Sequence, residues 1–268
     1  MVQAALFDLE LTYELENVRK MEKLNENVPT ASSGVKMDYY RKTAIIVGVL
    51  FIACTVSSIL SGLFIGSLDA PDYLVSVAAN ESQVLIGMLV QSIWALTCVG
   101  IPVMLFPILK KHNESLALGF FSLRLIECVF VFLAIVCQLS LLTLSKEFVT
   151  GALDASYYLA SGTLLHAARD WAFWVGPAIT FALSALILNY TLYQSKFVPR
   201  WLSGLGLVGA LVYIPAELLA FFGFDQFMVL ALPIALQEMT LAIWLIVKGF
   251  NSSAIASESV RTELNEIK

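Results

Sequence analysis

The sequence predicts an all-α membrane protein, a bundle of six transmembrane helices with its N- and C-termini in the cytoplasm. Three observations predict it. Of its 268 residues, 59% are hydrophobic and only 14% charged, where an ordinary soluble domain has roughly 45–50% and about 25%. Mean hydropathy is +0.80. The apolar residues gather in runs of about 20 or more, enough for a helix to cross a hydrocarbon layer about 30 Å thick with its backbone bonded internally. The basic residues that flank these runs fall mostly on one side, which sets the orientation.

Taken in order, residues 1–36 read as an acidic cytoplasmic segment. Leu11, Leu15 and Val18, with Met21 and Leu24 beyond them, fall at helical spacing among Glu and Lys, so a short solvated helix is expected there. A linker follows at Pro29-Thr30-Ala31-Ser32-Ser33-Gly34. The segment lacks an apolar h-region and does not read as a secretory signal peptide. The transmembrane domain is expected over 37–250, with a polar tail at 251–268.

The first span, about 43–68, is reached through Lys36, Arg41 and Lys42. Ser58, Gly62 and Gly66 recur along it every fourth residue, a small-residue stripe that admits a close neighbour from this chain or a second copy. A loop with Asp69, Pro71, Asp72 and Glu81 follows, its Tyr73–Ala79 stretch suited to lying along the interface. The second span, about 83–109, carries Pro102 and Pro107, residues that bend a helix, and ends at Lys110, Lys111 and His112. The third is about 116–145. A long connection, Lys146–Asp170, separates it from the fourth, about 171–194, where Trp171 and Trp174 hold aromatic-belt positions. Lys196, Pro199, Arg200 and Trp201 make a basic turn into the fifth, about 202–224. Asp225-Gln226 form a tight connection to the sixth, about 227–247, which passes Pro233 and ends at Trp244 and Lys248. Lys36, Arg41, Lys42, Lys110, Lys111, Lys196, Arg200 and Lys248 thus share one side, and only Lys146 and Arg169 take the other. That bias places the first side, with both termini, in the cytoplasm of a plasma-membrane protein.

Four charges lie inside these runs: Arg124, Glu127, Glu217 and Glu238. Each costs at least about 2.5–3.5 kcal/mol at mid-membrane, so each needs a partner or a use. Arg124 and Glu127 are three residues apart on one helical face and can pair. At about 1.5 Å per residue, Arg124 lies roughly 12 Å into its helix, Glu127 and Glu238 near the midplane, and Glu217 toward the outer leaflet. Two acids can meet Arg124; a third then requires a proton, a cation or a water-filled pocket. Small residues accompany the acids, with Ala231, Ala235 and Ala242 around Glu238, and Gly206, Ala210 and Tyr213 before Glu217. A tightly packed inward face is expected.

His166, Arg169 and Asp170 form a secondary outer cluster that shares a face if the stretch is helical. It reads most simply as a solvated helix start, and spacing alone allows a His166–Asp170 metal site completed by a deeper acid. Cys54, Cys98, Cys128 and Cys137 all lie in apolar runs without CxxC or Cys/His spacing, which argues for buried small hydrophobes rather than a disulfide framework or a zinc site. No metal site is assigned, and the cofactor is unknown. The net charge of −5 sits mainly in the tails and says little, but the lack of a basic patch disfavours nucleic acid as a partner, leaving the lipid bilayer and a small polar ligand, ion or proton.

Arg-Leu-Ile-Glu at 124–127, Phe-Val-Pro-Arg at 197–200, Pro233 followed by Glu238, and Ala-Ile-Trp-Leu-Ile-Val-Lys-Gly at 242–249 occur in an order and spacing that resemble a prokaryotic family of six-helix membrane proteins of unknown function. The resemblance covers roughly Tyr40–Phe250. It implies the fold and topology and the importance of Arg124, Glu127 and Glu238, and brings no activity. Three functions compete. The first is binding or translocation of a small polar ligand, ion or proton at the Arg/Glu cluster. The second is an intramembrane enzyme acting on a lipid-like substrate, and the third a structural or sensor protein with a charge-locked bundle. The two three-helix halves show no obvious inverted repeat, which weakens a secondary transporter.

Overall fold

A computed structural model describes residues 30–66, 70–151, 154–224 and 229–266. It is helical throughout, and six of its helices are long and apolar enough to cross a membrane. Helix α1 is Thr30–Ile65, followed by the short α2 (Tyr73–Ala79), α3 (Glu81–Leu109) and α4 (Glu114–Thr150). Helix α5 (Ala155–Phe173) passes through a π-helical segment, Trp174–Thr180, into α6 (Phe181–Ser195). Then come α7 (Arg200–Phe221), α8 (Leu232–Val247) and α9 (Ser252–Glu266). Leu63, Leu89, Leu96, Val136, Leu164 and Leu236 are exposed on the spans, an apolar exterior suited to lipid rather than water. The architecture is that of a multi-pass membrane protein.

The chain forms two compact units, Met1–Arg41 and Lys42–Lys268. In the first, the short helix expected around Leu11–Leu24 lies outside the described residues, and the stretch expected as a linker is helical from Thr30 onward. The second unit is built round α4, against which α2, α3, α5, the π segment and α6 all pack. Asn113 starts this helix by accepting from the Leu116 amide at 3.0 Å, and Gly151 ends it in the left-handed region at φ 70°, where a Cβ would be strained. On its inward face Arg124, Glu127, Val131, Ala134 and Gln138 are all buried.

Two local expectations are corrected and a third is filled in. The connection drawn over Lys146–Asp170 is almost all helix, since α4 continues to Thr150 and α5 begins at Ala155, capped by Asp154. Tyr158, Gly162 and Ala172 are its buried residues, and its exposed polar face lowered the hydropathy enough to imitate a loop. The polar tail expected after 250, for which no structure was expected, is helical over Ser252–Glu266. Ile255 is buried, and His112 Nδ1 and Lys111 Nζ each lie 2.8 Å from α9, at Glu258 Oε1 and Ser259 Oγ. Finally, the Ser58/Gly62/Gly66 stripe is not a packing seam among the described residues. A Cβ added at Gly62 or Gly66 would meet nothing within 4 Å, whereas one at Gly48 would come within 2.6 Å of the Ala242 carbonyl oxygen. The close approach of α1 to α8 is therefore made one helical stretch earlier than the stripe suggests. The Asp225-Gln226 connection lies outside the described residues.

Pro177 explains the π segment. A proline donates no amide hydrogen and its ring crowds the preceding turn, so a widened turn relieves both problems. Thr180 Oγ1 donates to the Gly176 carbonyl at 2.7 Å, and Gly176 itself sits so close to Phe130 of α4 that a Cβ would come within 2.5 Å.

Candidate functional site

Arg124 and Glu127 project from the middle of α4, each only 2% exposed, and Arg124 Nη1 donates to Glu127 Oε2 at 2.8 Å. The second oxygen of Glu127 accepts from the Cys98 thiol of α3 at 3.3 Å. Cys54 of α1 closes the group, its sulfur 3.9 Å from that of Cys98 and 4.0 Å from Arg124 Nη2. The guanidinium also lies 5.7 Å from the centre of the Phe181 ring, an attractive cation–π placement. Glu127 is thus bonded through both oxygens. Arg124 Nε is buried without a partner among the described residues.

Glu238 of α8 comes to the same place differently. It lies within the electrostatic reach of Arg124 and Glu127, yet among the described residues it makes no hydrogen bond or ion pair. Instead it lines a cavity of about 300 Å3 together with Arg124 and Glu127. Trp94, Phe181 and Tyr213 supply aromatic wall, Pro177 of the π segment another part of it, and Cys54, Thr55 and Ser58 the α1 side. This volume stands at the lower end of small-molecule sites, which are typically about 300–1,000 Å3 with a few convergent polar groups among apolar ones. The small residues Ala231 and Ala235 border the cavity, so the alanines around Glu238 leave room rather than fill it.

A second void of about 10 Å3 adjoins it, sharing Arg124, Phe181, Ile234 and Glu238. It is large enough for about one water. Its polar lining is Ser184, Asn189 and Gln237, with Gln237 Nε2 donating to Asn189 Oδ1 at 2.9 Å and Asn189 Nδ2 to the Ala185 carbonyl at 2.9 Å. Gly206 of α7 faces Asn189 so closely that no Cβ could fit. Arg124 and Glu238 therefore stand between a roomy cavity and a water-sized void lined by a bonded amide pair.

The remaining expected residues are placed apart. Glu217 is buried beyond Tyr213 on α7 and does not line the cavity; its side-chain neighbour is the Tyr213 hydroxyl, and Oε1 has no partner. The Trp174 indole donates to the backbone carbonyl of Glu217 at 3.2 Å. His166 and Asp170 approach to 3.6 Å, Arg169 bonds Asp170 at 2.8 Å, and the Arg169 guanidinium lies 4.9 Å from the Phe173 ring centre. The helix does bring this trio to one face. No deeper acid joins it: among the described residues, no group of three or more His, Cys, Asp or Glu side chains is placed to hold a metal.

Residue patterns alone did not reveal Cys54, Cys98, the aromatic wall or the Asn189–Gln237 pair. The amides had a signal, being polar groups inside apolar runs, like the acids. The cysteines had none, because a thiol in such a run is usually filler.

Fold and site together define a class: a six-span helical membrane protein with an intramembrane charged cavity. Residues 46–249 match the model of the family described as a domain of unknown function, DUF4386, and the chain belongs to that family. Neither the curated proteins nor the solved structures provide a match.

Proposed function

We propose that this protein binds a small polar ligand or ion of positive charge, or a proton, in the cavity between Arg124, Glu127 and Glu238. The observation that carries the reading is the unequal treatment of the two acids. Glu127 is neutralised by Arg124 and bonded by Cys98, while Glu238 faces open space with no partner among the described residues. One guanidinium against two carboxylates leaves the site short of one positive charge, and an uncompensated charge within a bilayer is costly. Trp94, Phe181 and Tyr213 present ring faces and edges that suit an organic cation as well. Glu217 is a supporting group, coupled through Tyr213 rather than in contact with the occupant.

The asymmetry of basic residues favours a plasma-membrane protein with both termini cytoplasmic, in contact with the lipid bilayer and not with nucleic acid. Translocation of the bound species, rather than binding alone, belongs to the same reading, with the Ser184–Asn189–Gln237 void as its continuation toward the end of the bundle that carries Lys110 and Lys196.

The test uses purified full-length protein and a series of short alkylammonium ions, with alkylsulfonates of matching length as controls. Thermal stabilisation by at least one ammonium, absent with every sulfonate and lost in E238Q, is expected. Equal stabilisation by the sulfonates, or an ammonium effect unchanged in E238Q, overturns the reading. A charge-locked bundle instead would tolerate E238Q silently and lose its fold on either R124Q or E127Q alone, but not in the exchanged R124E/E127R pair.

A further inference from the structure

A second, larger pocket lies away from this cluster, where α6 and α8 end and α7 begins. It encloses about 460 Å3, and three bases line it: Lys196, Arg200 and Lys248. We propose that it binds the phosphate group of an anionic ligand, seated as the headgroup of a membrane phospholipid or taken up as soluble phosphate. This site is independent of whatever occupies the intramembrane cavity.

Its first support is charge. All three basic side chains are exposed and no carboxylate lines the pocket. Among the described residues none of the three forms an ion pair, unlike Lys146 with Glu81 or Arg169 with Asp170. Three like charges held round one concavity repel each other, and an anion with several oxygens removes that penalty by accepting from more than one of them.

The second support is that the concavity is built, not incidental. Lys196 holds φ 58°, a left-handed conformation uncommon outside glycine, which ends α6 and turns the chain sharply. Phe197 and Val198 behind it are fully buried and make the floor. The Asn251 amide donates to the Phe197 carbonyl at 2.8 Å, tying the segment after α8 to the turn. Arg200 is steadied over the Tyr193 ring at 5.3 Å from its centre. Arg200 also opens α7, whose first turn has no side-chain cap.

The third support is position. Trp201 and Trp244 meet edge to face at 6.2 Å beside the pocket, and indoles concentrate at the boundary between headgroups and hydrocarbon. Basic pockets between helix ends at that level are where acidic lipid headgroups dock.

The experiment measures fluorescent phosphatidylglycerol binding to the full-length protein in phosphatidylcholine nanodiscs. Wild-type protein should retain the labelled lipid against unlabelled phosphatidylcholine and release it to unlabelled phosphatidylglycerol. At about fivefold per base, K196Q/R200Q/K248Q should weaken binding roughly hundredfold. K110Q, which removes a base from the same end outside the pocket, should leave it unchanged. Competition by millimolar inorganic phosphate assigns the site to a soluble ligand, and failure to compete assigns it to lipid. Equal displacement of the label from wild-type protein by phosphatidylcholine overturns the proposal, with no variant needed. So does a loss in K110Q as large as in the triple variant, since a diffuse surface charge would then account for binding.

Discussion

The two halves of the bundle treat their larger buried polar side chains differently. From the Arg124–Glu127 pair toward the end that carries Lys110, Lys196 and Lys248, buried polar side chains are bonded. Gln237 joins Asn189 and the Leu202 carbonyl, Asn189 joins the Ala185 carbonyl, and Ser184 bonds Phe181. From the same pair toward the other end, Ser57, Ser61 and Thr180 bond carbonyls of their own helix, but several larger buried groups are stranded. Both polar atoms of Gln91 and of Gln138, the hydroxyls of Ser145, Tyr158 and Tyr73, and Glu217 Oε1 have no partner among the described residues. A buried amide without a partner is rare and usually implies ordered water. The bonded half reads as a rigid wall behind the cluster, and the stranded half as a region that solvent must complete. The cavity lies on the boundary between them.

That contrast can be broken by substitution. The largest effect is expected from R124A, which leaves Glu127 buried with no opposite charge at about 3–5 kcal/mol of stability. Reversible unfolding in mixed micelles measures it, and a cost no greater than that of Q138L would erase the distinction between the two halves. Next comes Q237L in the bonded half. It removes two donated bonds and strands the Asn189 carbonyl oxygen, for about 1–3 kcal/mol in the same assay. Q138L in the stranded half should change stability by less than about 1 kcal/mol, because it deletes an amide that no protein group satisfies. Its signature is instead in solvent: amide exchange on the neighbouring turn of α4 should slow relative to wild type. An unaltered exchange pattern would mean that this half is dry.

The smallest effect concerns the cap of α5. Hydrogen bonds from the Ser156 amide and hydroxyl hold the Asp154 carboxyl below the usual carboxylate range. A group with a lowered folded pKa contributes stability that is present above its unfolded pKa and is lost as pH falls through its folded one. D154N should therefore leave neutral stability nearly unchanged and flatten the acid limb of the stability profile. An identical acid limb in the two proteins would exclude the cap as its cause.

How much of this was readable from residues depends on how local the cause is. Six helices follow from composition and run length, which act along the chain. The Arg124–Glu127 bond follows from three-residue spacing on one helix, so it too was legible. The isolation of Glu238 was not, because it depends on what α1, α4 and α6 leave unfilled around it. Nor was the role of Cys98, whose bond to Glu127 is set by how α3 meets α4. The glycines make the point most plainly. A periodic stripe nominated Gly62 and Gly66, which meet nothing among the described residues, while Gly48 has no stripe and lies against Ala242. Periodicity identifies a surface capable of close approach; only tertiary packing decides whether a neighbour arrives. Helix α5 failed in the opposite direction, its polar face masking a helix that sequence hydropathy averaged away.

The widened turn at Pro177 has a consequence for inheritance. It is the mark of one residue more than an α-helix needs over Trp174–Thr180, and each residue of an α-helix rotates the chain beyond it by about 100°. Deleting one residue there could restore regular winding, but it would swing every downstream side chain of α6 about its axis. Phe181 would leave the cavity and Asn189 would turn away from Gln237 and Gly206, although the span kept ample length to cross a bilayer. Within this family, length variation at that single turn would separate proteins that share a fold from proteins that share a site.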